Sequence, residues 1–217
     1  MKVKNYNYNR GEWAILKLDA VRGQLQSNIV SDIGSGWGWF KTPIVERNLI
    51  WQPFDYVKKI DESVQWDLNQ SSPEGVLAPD FVLFLEVLEH LSNPELGIKN
   101  ISNHIKKGGY MVLSTPNPLS ARSRFHSFFK GQLYAFQPKH MNEHHVFVPL
   151  PHVVRYFLES NGFEIKEHVT LGGIPFPKFK FGFNYIKDII QYFILRTIAF
   201  FDPSSKGETL AFFVRRK

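Results

Sequence analysis

Apolar positions along this 217-residue chain follow two different periods. Phe81-Val82-Leu83-Phe84-Leu85 is unbroken, as expected of a strand buried on both faces of a parallel sheet. A second run, Tyr110 to Leu113, is opened by Gly108-Gly109, and residues 163–169 and 209–214 supply two more rich in β-prone side chains. Between the runs, apolar residues recur every three or four positions. This spacing predicts helices over 12–25 (Trp13, Leu16, Leu18, Val21), 94–106 (Leu96, Ile98, Ile101, Ile105), 119–130 and 150–161. Pro94 suits a first helical turn and Gly162 a helix end. A further helix is expected over 39–47, kinked or shortened by Pro43. Alternation of this kind specifies an α/β domain, with helices on both faces of a mostly parallel sheet. Its ligand belongs at the carboxyl ends of the strands.

The earliest strand carries the most chemistry. Val30-Ser31-Asp32-Ile33-Gly34-Ser35-Gly36-Trp37-Gly38 is an apolar strand that meets an acid and then Gly-x-Gly-x-Gly. Glycine permits both the tight turn and a close approach of backbone to a nucleotide. A dinucleotide fingerprint would need its third glycine at position 39, which is Trp39, so a nicotinamide oxidoreductase is disfavoured. Asp55 closes the short run 49–55, 23 positions after Asp32, and its two oxygens suit two adjacent hydroxyls. Asp67 lies in a third short run, 64–69, with room for a very short helix at most before it. Glu86-x-x-Glu89-His90 then follows the fourth strand, and Thr115-Pro116-Asn117 follows the fifth.

The segment 32–38 resembles motif I of class I S-adenosylmethionine (SAM)-dependent methyltransferases. Leu88-Glu89-His90 and Thr115-Pro116-Asn117 closely resemble the ubiquinone-biosynthesis O-methyltransferase-like branch (type 11/23), and the likeness runs over about residues 32–165. It implies a Rossmann-like, seven-stranded sheet whose C-terminal strand runs antiparallel to the sixth, and it implies SAM as cofactor. By the same resemblance Asp32, Gly34, Ser35, Gly36, Asp55, Asp67, Leu68 and Glu86 are the cofactor-binding positions. Ser35 departs from the Cys common there, but the turn needs only a small side chain. In ubiquinone O-methyltransferases and in terminal-ribose O-methyltransferases of small RNAs, a similar Glu-x-x-Glu-His binds a divalent cation. Glu86, Glu89, His90 and His145 are therefore candidate ligands. Metal-free relatives carry Leu-Glu-His too, and the reading preferred here is His90 or His145 acting as a metal-free base.

Composition changes the picture in three places. There is no cysteine, which removes thiol nucleophiles and thiolate metal sites. Residues 1–8 carry positive charge without an apolar core, so no secretory signal is expected, and a cytoplasmic protein is. The net charge of +6 fits either an ordinary solvated enzyme or an anionic partner: nucleic acid, a phosphorylated glycan or lipid headgroups. One domain, 1–217, is expected, with a helical lead-in (1–28), an active-site cover (118–150) that holds His140, His144 and His145, and an insertion (172–205). His104 and His168 read as surface residues. In the insertion Ile186, Ile189, Ile190, Phe193, Ile194, Thr197, Ile198 and Phe201 form one apolar stripe, too interrupted by charge to span a membrane. Such a stripe packs on the protein's own core, in a homodimer, or at a membrane interface helped by Lys178 and Lys180. The expected activity is O-methylation of a glycan, lipid-linked or small-molecule acceptor. An RNA-end O-methyltransferase and a non-catalytic SAM-binding scaffold are the alternatives.

Overall fold

The computed structural model describes residues 3–217; Met1 and Lys2, part of the segment read as lacking a signal, lie outside the described residues. In chain order the elements are β1 (Lys4–Tyr6), α1 (Arg10–Val21), β2 (Ile29–Ile33), α2 (Lys41–Val45), β3 (Ile50–Asp55), β4 (Val64–Gln65) and β5 (Phe81–Leu85). They continue with α3 (Pro94–His104), β6 (Tyr110–Pro116), α4 (Ala121–Lys130), α5 (Pro151–Ser160), β7 (Phe163–Leu171), α6 (Phe183–Phe201) and β8 (Thr209–Arg216). The strands form one sheet in the order β1-β7-β8-β6-β5-β2-β3-β4. β8 is antiparallel to both its neighbours, β6 and β7, and every other pair is parallel.

The sheet has eight strands where seven were expected. The additional one is β1, which pairs Lys4–Tyr6 with Val169–Leu171 at the edge. At three residues, two of them polar, it is too short to leave a period-two signal. The first helix ends at Val21 and continues as a single 3₁₀ turn, Arg22–Gln24. Its start is fixed by a capping box in which Asn9 accepts from the Glu12 N–H and Glu12 accepts from the Asn9 N–H, both at 2.9 Å. The helix expected over 39–47 shrinks to Lys41–Val45. Proline inside β3 is tolerated because Pro53 pairs with Asp32 on one side only; on the other side β4 meets β3 just at Phe54 and Asp55.

Two cores flank the sheet. β5 divides its side chains between them: Phe81 and Leu83 pack with Trp13, Leu18 and Ile44 of α1 and α2, while Val82 and Phe84 pack with Ile98, Ile101, Val154 and Leu158 of α3 and α5. Burial on both faces explains its uninterrupted apolar run. His104 and His168 were expected on the surface, and the structure corrects this: both are buried. His104 sits edge-on to Phe54 and Trp66, with Nε2 3.1 Å from the Ser31 hydroxyl. His168 stacks on Phe212 at 4.3 Å. Burial lowers both imidazoles to about 4, so each is neutral at pH 7.

Candidate active site

The carboxyl ends of β2, β3 and β5 open onto a cavity of about 650 Å³. The turn after β2 forms one wall. Gly34 and Ser35 donate their N–H groups to the Phe54 carbonyl at 2.8 and 2.9 Å, which holds the turn against β3. Gly34 has φ +77°, and a Cβ there would lie 2.4 Å from Val87 Cγ2. Gly36, at φ +53°, faces open space instead, so a side chain at this position would project into the room a ligand needs. Asp55, at the end of β3, accepts from the Gly36 N–H at 2.8 Å, and its carboxylate lines the cavity. Asp67, Leu68 and the Trp66 ring continue the wall beyond β4.

Seven of the positions predicted from sequence line this cavity: Gly34, Gly36, Asp55, Asp67, Leu68, Glu86 and His90. Asp32 and Ser35 do not line it. The Asp32 carboxylate is buried and accepts from Trp51 Nε1 at 3.0 Å. Burial, with Asp55 nearby, raises its pKa to about 7 against the opposing Trp51 hydrogen bond. The Ser35 hydroxyl faces Ser63 at 3.3 Å. Both residues shape the turn from behind.

The opposite wall follows β5. Glu86 has φ +55°, an uncommon conformation for a side chain of its size. It is held there by Ser114, whose carbonyl accepts from the Glu86 N–H at 2.9 Å and whose hydroxyl donates to its carboxylate at 2.8 Å. Glu89 is fully buried, accepts from the Thr115 hydroxyl at 2.9 Å, and is raised to about 8 by burial and by Glu86. Its carbonyl accepts from the N–H groups of both Val146 and Phe147, at 3.0 and 3.1 Å, and so ties these residues to the turn after β5. His90 projects into the cavity, its pKa lowered by burial and then by His145.

The cover contributes differently from expectation. His144, in the left-handed region at φ +63°, is the residue of this segment that reaches the cavity wall. His145 does not line it; its ring meets that of His90 edge to face at 4.8 Å. Of the four candidate metal ligands, Glu89, His90 and His145 have donor atoms within 4.8 Å of one another, and Glu86 is not in that group. One carboxylate with two imidazoles fits manganese, cobalt or zinc. Sequence reasoning missed Arg10, whose positive charge at the start of α1 acts on both Glu86 and Glu89. No local motif connects position 10 to position 86, and only the fold brings the two together.

The fold is shared with proteins of known structure. A family profile described as "Methyltransferase domain" matches residues 8–168. The chain is 25% identical over 203 residues to the ubiquinone biosynthesis O-methyltransferase of Rickettsia prowazekii, covering 87% of this chain and 78% of the relative. Among solved structures, a SAM-dependent methyltransferase from Archaeoglobus fulgidus superposes with a TM-score of 0.63 at 18% identity, covering 96% of this chain and 95% of the other. The plantazolicin methyltransferase BamL, solved with a triazolic desmethylPZN analogue and SAH, superposes with a TM-score of 0.59 at 12% identity over 95% of this chain and 84% of its own. With the profile spanning most of the chain, this protein belongs to the methyltransferase domain family and is a SAM-dependent methyltransferase.

Proposed function

We propose that the chain methylates an oxygen of a small-molecule, glycan or lipid-linked acceptor, with His90 as the base. The observation that carries this reading is the single cavity with the glycine turn, Asp55 and Asp67 on one wall and His90 and His144 on the other. Bound SAM supplies a methyl group already activated by its sulfonium. The protein's remaining tasks are to align the acceptor, exclude water and take up a proton. Gly36 would leave room for the cofactor, and the Asp55 and Asp67 carboxylates would accept from its hydroxyl and amino groups. A neutral His90 imidazole, with its pKa lowered by burial, is free to accept the acceptor's hydroxyl proton. The cover, tied to Glu89 by two hydrogen bonds, limits water. The O-methyltransferase relative supports oxygen as the accepting atom.

Incubation with methyl-labelled SAM and an acceptor panel tests this: phenols with and without a long apolar tail, lipid-linked glycans and RNA ends. Transfer to a hydroxyl of the first two classes is expected. Label appearing only on nitrogen or only on RNA would contradict it.

A further inference from the structure

Among the described residues, no helix is long and apolar enough to cross a membrane. α6 is nonetheless arranged inside out. Its inward row is Asp188, Tyr192, Leu195 and Ala199, spaced four, three and four apart, and Leu195 is its one buried residue. Its outward row, Phe183, Ile186, Ile190, Phe193 and Phe201, is apolar and exposed, with Ile190 at 55% and Phe193 at 61%. Of the stripe seen in sequence, Ile186, Ile190, Phe193 and Phe201 are exposed, while Ile189, Ile194 and Ile198 are half-buried, the last two on the side that faces α4. Phe181, 94% exposed, extends this surface before the helix, and Phe128, 83% exposed, extends it on the neighbouring α4. Between α4 and α6 runs a groove of about 670 Å³ lined by Phe125, Phe128, Phe129, Ile194, Ile198 and Phe201 together with Arg124 and Asp202. A monomeric soluble protein rarely exposes a continuous apolar surface of this kind.

Charge says what covers it. Segments 118–142 and 172–202, which build this face, contain eight lysines and arginines and two acids, a net +6. The whole chain carries +6, so the rest of the molecule is net neutral. Arg122, Arg124 and Lys180 are paired with Glu208, Asp202 and Asp188. The other five, Lys130, Lys139, Lys178, Lys187 and Arg196, have no carboxylate within 4.0 Å among the described residues. A face that is its own mirror partner in a homodimer would bring this positive charge against itself. Apolar side chains surrounded by unpaired cations instead match a bilayer with anionic headgroups.

We propose that α6, α4 and the segment 172–182 form a docking face for an anionic lipid surface. None of the outward row lines the cofactor cavity, so this inference stands whichever acceptor is methylated. The face is joined to the site through the cover: Arg122 of α4 lies against Tyr134, and the next residue, Ala135, bonds His145. Docking thus holds the cover of the cavity next to the bilayer.

Co-sedimentation with vesicles tests the proposal. The wild type is expected to sediment with phosphatidylcholine vesicles containing phosphatidylglycerol at low salt. It is expected to stay in solution with phosphatidylcholine alone, and to be released at about 1 M salt, where screening acts within about 3 Å. Ile190→Asp and Phe193→Asp should each weaken binding about tenfold or more, and Lys178→Ala and Lys187→Ala each about fivefold. SAH titration and circular dichroism should show all four variants folded. Phe181→Ser, at a fully exposed position before the helix, repeats the test where folding is not at stake. Failure of the wild type to sediment at low salt would overturn the proposal. So would binding that survives these substitutions, or a dimer in lipid-free buffer that Phe193→Asp dissociates.

Discussion

The rings of His90 and His145 meet edge to face, 4.8 Å between centroids and with planes at 84°. His145 Nδ1 lies 2.8 Å from the Ala135 carbonyl, which can only accept, so this nitrogen carries the proton. The ring is thereby fixed behind His90 instead of on the cavity wall. In the proposed mechanism His90 exchanges the proton and His145 positions it.

Activity should accordingly fall on the acid side. His90 is held below its ordinary 6.5 by burial and by His145, so the acid limb of kcat/KM should have its midpoint below 6.5. His90→Ala should lower kcat by about 10²–10⁴-fold with SAH affinity nearly unchanged. His145→Ala removes one of the effects that depress His90, so the acid limb should move to higher pH. A pH–rate profile that stays in place in both variants would assign the base elsewhere.

The metal question has a separate readout. Glu89, His90 and His145 are close enough to hold a cation, but burial and the neighbouring Glu86 raise the Glu89 carboxyl well above the usual carboxylate range, which favours its protonated form, and it accepts from Thr115. A metal would have to displace that proton. Turnover after dialysis against a chelator should equal that before it. Lost activity restored by added manganese would show that the cluster is a metal site.

The buried histidines make a prediction about stability. His104 is lowered to about 4 in the fold, against an ordinary 6.5. Between these values the unfolded chain binds the extra proton, so stability contributed at pH 7 is lost as pH falls from about 6.5 to 4. The linkage is on the order of 3 kcal/mol for this one group. His104→Leu should be less stable than the wild type at pH 7, because the Ser31 contact is gone, and should close that gap as pH falls toward 4. Urea melts of both proteins across this range measure it; a gap independent of pH would contradict the assignment.

Much of this was legible in the sequence because the signals were local. Gly34, Gly36 and Gly38 all have positive φ, and the apolar run 81–85 was readable because both its faces are buried. Asp55 and Asp67 could be placed because strand ends follow one another in order. What escaped depended on contacts between distant positions. Asp32 could be read as a ligand, but its pairing with Trp51 needed the register of β2 and β3. His104 could not be read as buried, since Phe54 and Trp66 reach it only through the fold. Periodicity likewise revealed the α6 stripe without saying which way it faces, since the spacing is the same inward or outward.

Asp55 offers the most direct test of the central claim, that SAM occupies the cavity beside the glycine turn. Its carboxylate is the acceptor expected to take the cofactor's ribose hydroxyls. Asp55→Ala should therefore cost about 1.5–3 kcal/mol, roughly 10- to 150-fold in affinity. Calorimetric titration of wild type and variant with SAH, with NADH as a control ligand, makes the measurement. The account predicts SAH binding weakened by that factor and no binding of NADH; equal SAH affinity in the two proteins, or tight NADH binding, would contradict it.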